Sequence, residues 1–283
     1  MRARSWLPVP FITGVALLIA IPAVAALALS FTDYSGVAAP RFVGLDNYER
    51  LLGDDAFWRS VGNTAIFIGL SVPLRLLAVI VLSLVLYERF RGVTFGRVGV
   101  YMPTVMPDVA YALLWLWLLN PLYGPVAAAL TGVGFTSPDW LTDPWTARLG
   151  VVLMSVFQIG EGFVIALAAR RALPQHVFDA ARVDGASGGF ILRKVTLPMM
   201  APVLALLALR DLILALQVSF VPALLLTDGG PRYATTFLPV FVYRQAFAFF
   251  RLGYASAVSL TMFLLTAAAV FVQYRLAKRW RLL

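Results

Sequence analysis

The sequence predicts an all-α integral membrane protein of six transmembrane helices, with both termini on the cytoplasmic side. Three observations predict it. Of 283 residues, 61% are apolar and 13% charged, against about 25% charged in soluble chains. Six apolar runs offer the roughly 20 residues that a helix needs to cross a bilayer. Finally, Lys and Arg are unevenly shared: fourteen fall in the N-terminus, 87–97, 170–198 and the C-terminal tail, against three acids, while the other three loops hold seven against eight acids. Basic residues stay on the cytoplasmic side, and an even number of spans returns the chain there. The net charge of +9 therefore reads as topology and not as a nucleic-acid surface.

The spans follow in order. Ser5 to Thr32 is 28 residues without a charge, and the first span is expected at about 11–31. Its Arg2/Arg4 start and Ala-rich end also suit a secretory signal peptide, but the run is long for one, and its loss would spoil the charge alternation. Further spans are expected at about 61–86, 98–119, 149–169, 199–226 and 254–276. All are helices, because in lipid unpaired backbone groups are too costly for anything but helices and closed barrels. Pro73, Pro103, Pro107, Pro202 and Pro222 lie within or at the ends of these spans and predict kinks or breaks. The tail Arg275, Lys278, Arg279 and Arg281 reads as an anchor to anionic lipid. With no low-complexity segment or internal repeat, residues 1–283 form one transmembrane domain.

Between the fourth and fifth spans stands the longest polar interruption, Arg170 to Pro202, reading RRALPQHVFDAARVDGASGGFILRKVTLPMMAP. Pro174 suits a first helical position. Phe178, Ala180, Ala181 and Val183 supply helix formers and an apolar stripe, and Asp179 falls where a helix dipole favours a carboxylate. Asp184-Gly185 is a stop, and Ser187 can cap a second helix running into Leu197-Pro198. Two short helices on the cytoplasmic side, neither span nor plain linker, read as a docking element.

Charges also occur inside the apolar runs: Arg75, Asp108, Glu161, Arg210 and Asp211, alongside Asn63, Gln158 and Gln217. Each intramembrane charge costs about 2.5–3.5 kcal/mol on an insertion scale and so faces a partner or a wet cavity. Gln158 and Glu161 share one helix face, as do Arg210 and Gln217, while Asp211 points about 100° away from Arg210. Two readings stay open. Gln158, Glu161, Arg210 and Gln217 line a substrate pathway, or Arg75 and Arg210 pair with Glu161 and Asp211 to hold the bundle together.

The polar segment is similar to the EAA loop of the permease subunits of binding-protein-dependent ABC importers. Asp179-Ala180-Ala181, Gly185 and Val195-Thr196-Leu197-Pro198 match that pattern in type and spacing. Asp stands where the family has Glu, and Gly188-Gly189 stand where bulkier residues are usual. Other stretches resemble the same family in order: Ser30 to Tyr34, Phe42 to Tyr48, Leu119-Asn120-Pro121 with Tyr123-Gly124, Thr227 to Pro231, and Gly253 to Ala257. They resemble the carbohydrate-uptake branch, and within it the first permease subunit of maltose- and glycerol-phosphate-type systems.

The resemblance implies a subunit of the bacterial or archaeal cytoplasmic membrane that forms the pathway for a carbohydrate or related polyol. It implies a second six-span permease, two copies of an ATPase subunit that bind ATP and Mg, and an extracytoplasmic solute-binding protein. The coupling contact would be made by Phe178, Asp179, Ala180, Ala181, Asp184, Gly185, Leu197 and Pro198. Phe178, Ala180 and Ala181 would touch the ATPase, and Asp179 would pair with a base there. The chain itself lacks a G-x-x-x-x-G-K-[ST] phosphate loop, its only lysines being Lys194 and Lys278, so ATP chemistry falls to another polypeptide. With no Cys and one His, His176, no thiol nucleophile or metal set is expected and the chain is not read as an enzyme. The rival reading is a proton- or sodium-coupled secondary transporter that uses Asp108, Glu161 and Asp211 as a relay, which leaves the docking segment unexplained.

Overall fold

The structure is a computed structural model that describes residues 8–88 and 90–279. Arg2, Arg4, Arg89 and Arg281 of the sequence reading lie outside them. Helices dominate: α1 (Val9–Leu29), α2 (Asp46–Leu52), α3 (Asp55–Val85), α4 (Val93–Val105), α5 (Asp108–Leu118), α6 (Pro125–Gly132), α7 (Pro144–Phe157), α8 (Gly160–Arg171), α9 (Gln175–Val183), α10 (Gly188–Thr227), α11 (Leu238–Tyr243) and α12 (Leu252–Arg279). A two-stranded antiparallel ribbon pairs β1 (Thr32–Asp33) with β2 (Arg41–Phe42).

Among the described residues, α1, α3, α10 and α12 are each long and apolar enough to cross a membrane. The pair α7–α8 makes a fifth candidate, bent by 46°. The third expected span is not one helix. It divides into α4 and the short apolar α5, with Met106 and Pro107 both extended (ψ 137° and 136°) between them. Pro107 lacks an N–H, and it pushes the residue before it out of the helical region. The other four prolines lie inside helices that continue past them. The fifth span begins earlier than expected: Gly188–Thr227 is one helix of 40 residues, so the second half of the 170–198 loop belongs to it. A π-helical turn at Leu192–Thr196 carries that helix past Pro198. The Leu197 N–H reaches back to Leu192 O, a widened turn where the missing proline donor is tolerated.

By its contacts the chain forms two units. The first runs through Arg59 and takes in Leu238–Ala267. Its centre is a knot of polar groups from three stretches of chain. Asn47 donates through Nδ2 to Ser30 O and Thr32 O, both at 2.9 Å, and Ser30 Oγ meets Tyr48 OH at 2.7 Å. From α12, the Gly253 N–H donates to Tyr34 O, and the Tyr254 hydroxyl donates to Asp54 Oδ2 at 2.7 Å. Arg50 lies over the Tyr254 ring. Gly253 is required there, because a Cβ would overlap the Thr32 carbonyl oxygen.

The apolar centres of the second unit, which takes in Ser60–Phe237 and the chain from Ala268 on, include the following two. One joins Val79, Ile159, Ala166, Met200, Leu204 and Leu207. The other joins Tyr111, Ala112, Trp115, Leu119, Met154 and Leu226. At the start of α7, the Asp143 carboxylate accepts from Thr146 N and Trp145 N, bonds that hold it below the usual carboxylate range.

Adding a methyl at the knot should be costly. Gly253→Ala is expected to lose about 1–3 kcal/mol through overpacking, read as a lowered unfolding midpoint in detergent. Gly14→Ala, where a Cβ meets nothing within 4 Å, should leave the midpoint unchanged.

Candidate functional site

Two places in the second unit hold the site residues expected from the sequence. The first is α9. Its two-helix setting follows the local signals: Ser187 Oγ accepts from Phe190 N at the head of α10, and Gly185 takes φ +76° after α9. Pro174 is the residue before the helix, not its first. Asp179 is consequently the fifth residue of α9, beyond the first turn, and its carboxylate is held from within the helix by Gln175 (3.2 Å) and Arg182 (3.3 Å). Asp179, Ala180, Arg182, Val183, Asp184 and Gly185 are exposed, and Ala181 is half-buried.

Phe178 departs from its expected place. It is 3% exposed and faces its own chain, with the Arg170 guanidinium 4.5 Å from its ring centroid. The nine-residue helix needs an apolar anchor because so short a helix is marginal alone, and Phe178 supplies it. It therefore lies on the buried side of α9. Leu197 and Pro198 lie within α10, half-buried and exposed.

The second place is the break between α7 and α8. A helix end leaves its last carbonyls without partners, and inside an apolar bundle they must be met by side chains. Here they are. Tyr111 OH donates to Met154 O at 2.9 Å, and Arg75 Nη1 donates to Ser155 O at 2.9 Å. The Gly160 N–H that opens α8 donates to Thr104 Oγ1 at 2.9 Å, and a Cβ on Gly160 would collide with Thr104 and Tyr101.

Arg75 also meets Asp211 at 3.2 Å, both side chains under a tenth exposed. Arg210 bridges onward, to Asp211 at 3.4 Å and to Glu161 in a close ion pair. The four charges thus form one chain, Arg75–Asp211–Arg210–Glu161, in which each base meets an acid. Its inner end is buried and its outer end open, the Glu161 side chain being 56% exposed. Gln158 sits at the break, half-buried, and Gln217 is exposed. Asp108 is the exposed first residue of α5, away from an ion pair among the described residues.

Sequence reasoning marked Asn63 as a polar residue of the apolar runs but gave it no partner, and it missed Arg148. Asn63 and Arg148 form a clasp: Arg148 Nη2 donates to Asn63 Oδ1 at 2.8 Å, and the two together donate to Tyr233 O and Ala234 O. They hold the loop after α10, where Asp228, Arg232 and Tyr233 have positive φ and Thr235 and Thr236 donate to Gly230 O and Gly229 O. The cluster of strained residues after Thr227 needed such a clasp, but its partners lie more than eighty positions away. Thr104 and Tyr111 gave no signal either, each being an ordinary polar residue in an apolar run.

Residues 55–282 match the family of binding-protein-dependent transport system inner membrane components. The chain belongs to this family. The match spans both α9 and the charged break of this inner-membrane component. Its relatives include a probable ABC transporter permease protein, YesP, of Bacillus subtilis, 31% identical over 96% of this chain and 89% of that one. The trehalose/maltose transport system permease protein MalF of Thermococcus litoralis is also 31% identical, over 95% and 91%. Among solved structures, a bacterial alginate ABC transporter in complex with an alginate pentasaccharide-bound periplasmic protein superposes with TM-score 0.84 at 23% identity, over 98% of this chain and 96% of that one. That likeness establishes the permease fold.

The buried pair can be tested apart from transport. Arg75→Met removes the buried partner of Asp211 and leaves Ser155 O with the Gln158 N–H alone, and should destabilise by about 3 kcal/mol, the lower end for a broken buried pair because Arg210 still meets Asp211. Arg75→Met with Asp211→Leu should recover part of that loss, and Glu161→Gln should change the unfolding midpoint little.

Proposed function

We propose that this chain is the membrane-spanning subunit of an ATP-driven ABC importer, forming the translocation pathway for a carbohydrate or related polyol delivered by an extracytoplasmic binding protein. The family membership supports the transport role. The trehalose/maltose relative and the alginate transporter with its loaded periplasmic protein support the solute class and the binding protein. In this reading the chain pairs with a second six-span permease and two copies of an ATPase, which carry ATP and Mg. Six spans are counted by taking α4–α5 and α7–α8 each as one broken span, with both termini and α9 on the cytoplasmic side.

The observation that carries the proposal is α9 itself, a helix whose Asp179, Ala180, Arg182 and Val183 side is exposed while its Phe178 side is seated on the bundle. An amphipathic stub between two spans suits a cleft in a soluble motor. When the ATPase pair closes on ATP, the stub moves as a rigid body and the spans change between two packings, since packed elements switch and do not deform continuously. Asp179 remains the candidate partner for a base in the motor once it leaves Arg182, an exposed contact worth little on its own.

For the solute, Gln158 and Gln217 supply neutral donors and acceptors, and Glu161 is the open end of the charge chain. Sugar hydroxyls need such groups. Arg210 is committed to Glu161 and Asp211, so its role is to orient them. The secondary-transporter reading gains nothing from this arrangement: Asp211 and Glu161 are spoken for by arginines, and Asp108 stands apart.

Three measurements check the proposal. The complex co-purified with its ATPase and reconstituted with the binding protein should hydrolyse ATP faster when a neutral sugar is added. Uptake driven by an ion gradient without any nucleotidase would overturn it. Because the chain lacks cysteine, Ala180→Cys gives a single label site, which should react in inverted membrane vesicles and stay protected in right-side-out ones. Glu161→Gln and Gln217→Ala should each lower uptake of the cognate sugar by about ten-fold, the worth of one or two solute hydrogen bonds, with the unfolding midpoint preserved.

A further inference from the structure

We infer that Arg170 is the joint through which movement of α9 enters the bundle, its guanidinium acting as a flat spacer stacked between two aromatic rings. The inference rests on the reading of α9 as the motor-docking helix. Arg170 is the penultimate residue of α8, and its guanidinium carbon lies 4.2 Å from the Tyr87 ring centroid and 4.5 Å from that of Phe178. Both distances are within the range of a cation–π contact. Tyr87 follows the C-terminus of α3, and Phe178 is the buried residue of α9. A fourth element is tied to the same point. Arg97 of α4 donates through Nε and Nη2 to Leu86 O at 3.0 and 2.6 Å, and through Nη2 to Tyr87 O at 3.5 Å. Beneath the stack, Leu86, Val93, Phe163 and Leu167 form a buried apolar cluster against which Tyr87 packs.

Four segments thus converge where the docking helix meets the membrane helices. The polar contacts of Asp179 stay inside α9, so they transmit nothing to the bundle. The Phe178 ring does reach it, against Arg170, and through Arg170 the ends of α8 and α3. Arginine suits this position because its guanidinium is planar and can be stacked on both faces, whereas lysine presents a compact point charge. Arg170 is a positioning residue, acting on the transport cycle through Phe178 and Tyr87.

The test uses the full chain. A spin label on Ala180→Cys reports the mobility of α9, and the reconstituted complex reports solute moved per ATP hydrolysed. Arg170→Ala should mobilise the label and lower solute moved per ATP by about five-fold or more, the smallest effect typical of a broken inter-site coupling, while the ATPase still co-purifies. Arg170→Lys should behave like Arg170→Ala. Phe178→Leu should uncouple in the same way and Phe178→Tyr, which keeps the ring, should not. An immobile label and unchanged solute per ATP in Arg170→Ala and Phe178→Leu would overturn the joint. If the unsubstituted chain retains no ATPase, the functional reading fails, and the label mobility still decides whether Arg170 holds α9.

Discussion

The guanidinium of Arg75 meets two needs at once, and the middle of the bundle depends on it. It donates to Ser155 O at the open end of α7 and pairs with Asp211 of α10. A helix that stops within an apolar bundle exposes carbonyls that water would otherwise satisfy, so the break between α7 and α8 can exist only where donors are supplied. Arg75 and Tyr111 supply them from α3 and α5, while Thr104 of α4 accepts from the Gly160 N–H that opens α8. The counter-charge is equally necessary, because a lone guanidinium in that setting would carry a large desolvation cost. Asp211 answers it, and Arg210 and Glu161 extend the balance outward. A bent, polar break in the bundle is the kind of irregular backbone that membrane proteins keep where they line a cavity.

Helix α9 shows the same economy of faces. Nine residues cannot hold a helix by propensity alone, so α9 leans on the bundle through Phe178 and leaves its charged side open. Its buried side and its exposed side are thus separate. The first unit is stiffened differently, by hydrogen bonds: Asn47, Asp54 and Tyr254 tie three remote stretches together, and Gly253 lets two backbones touch.

Much of this was legible in the sequence. The apolar runs, the loop charges, the stop at Asp184-Gly185 and the cap at Ser187 are local signals, and local chemistry decides them: burial needs apolar length, and a helix end needs a glycine or a hydroxyl. The motifs around Ser30, Phe42 and Gly253 read singly as turns; the structure brings them into one knot. Where the sequence misled, the reason was again physical. A run such as 98–119 is apolar throughout, so composition cannot see that Pro107 ends one helix and starts another. Proline itself is an uncertain guide, since four of the five marked positions stay within continuous helices once the surrounding turns absorb the missing donor.

What the sequence by itself determined is therefore the class of the protein, the place of a short polar helix between its later apolar runs and the residue types in those runs. Tertiary structure alone decided the partners: that Arg75 takes Asp211 while Arg210 takes Glu161, that Arg148 clasps a loop 86 residues on, and that Phe178 turns inward onto Arg170. Those choices depend on which helix faces lie within a few ångströms of one another. Hydropathy and local spacing carry no record of that, because helices far apart in the chain meet only through packing.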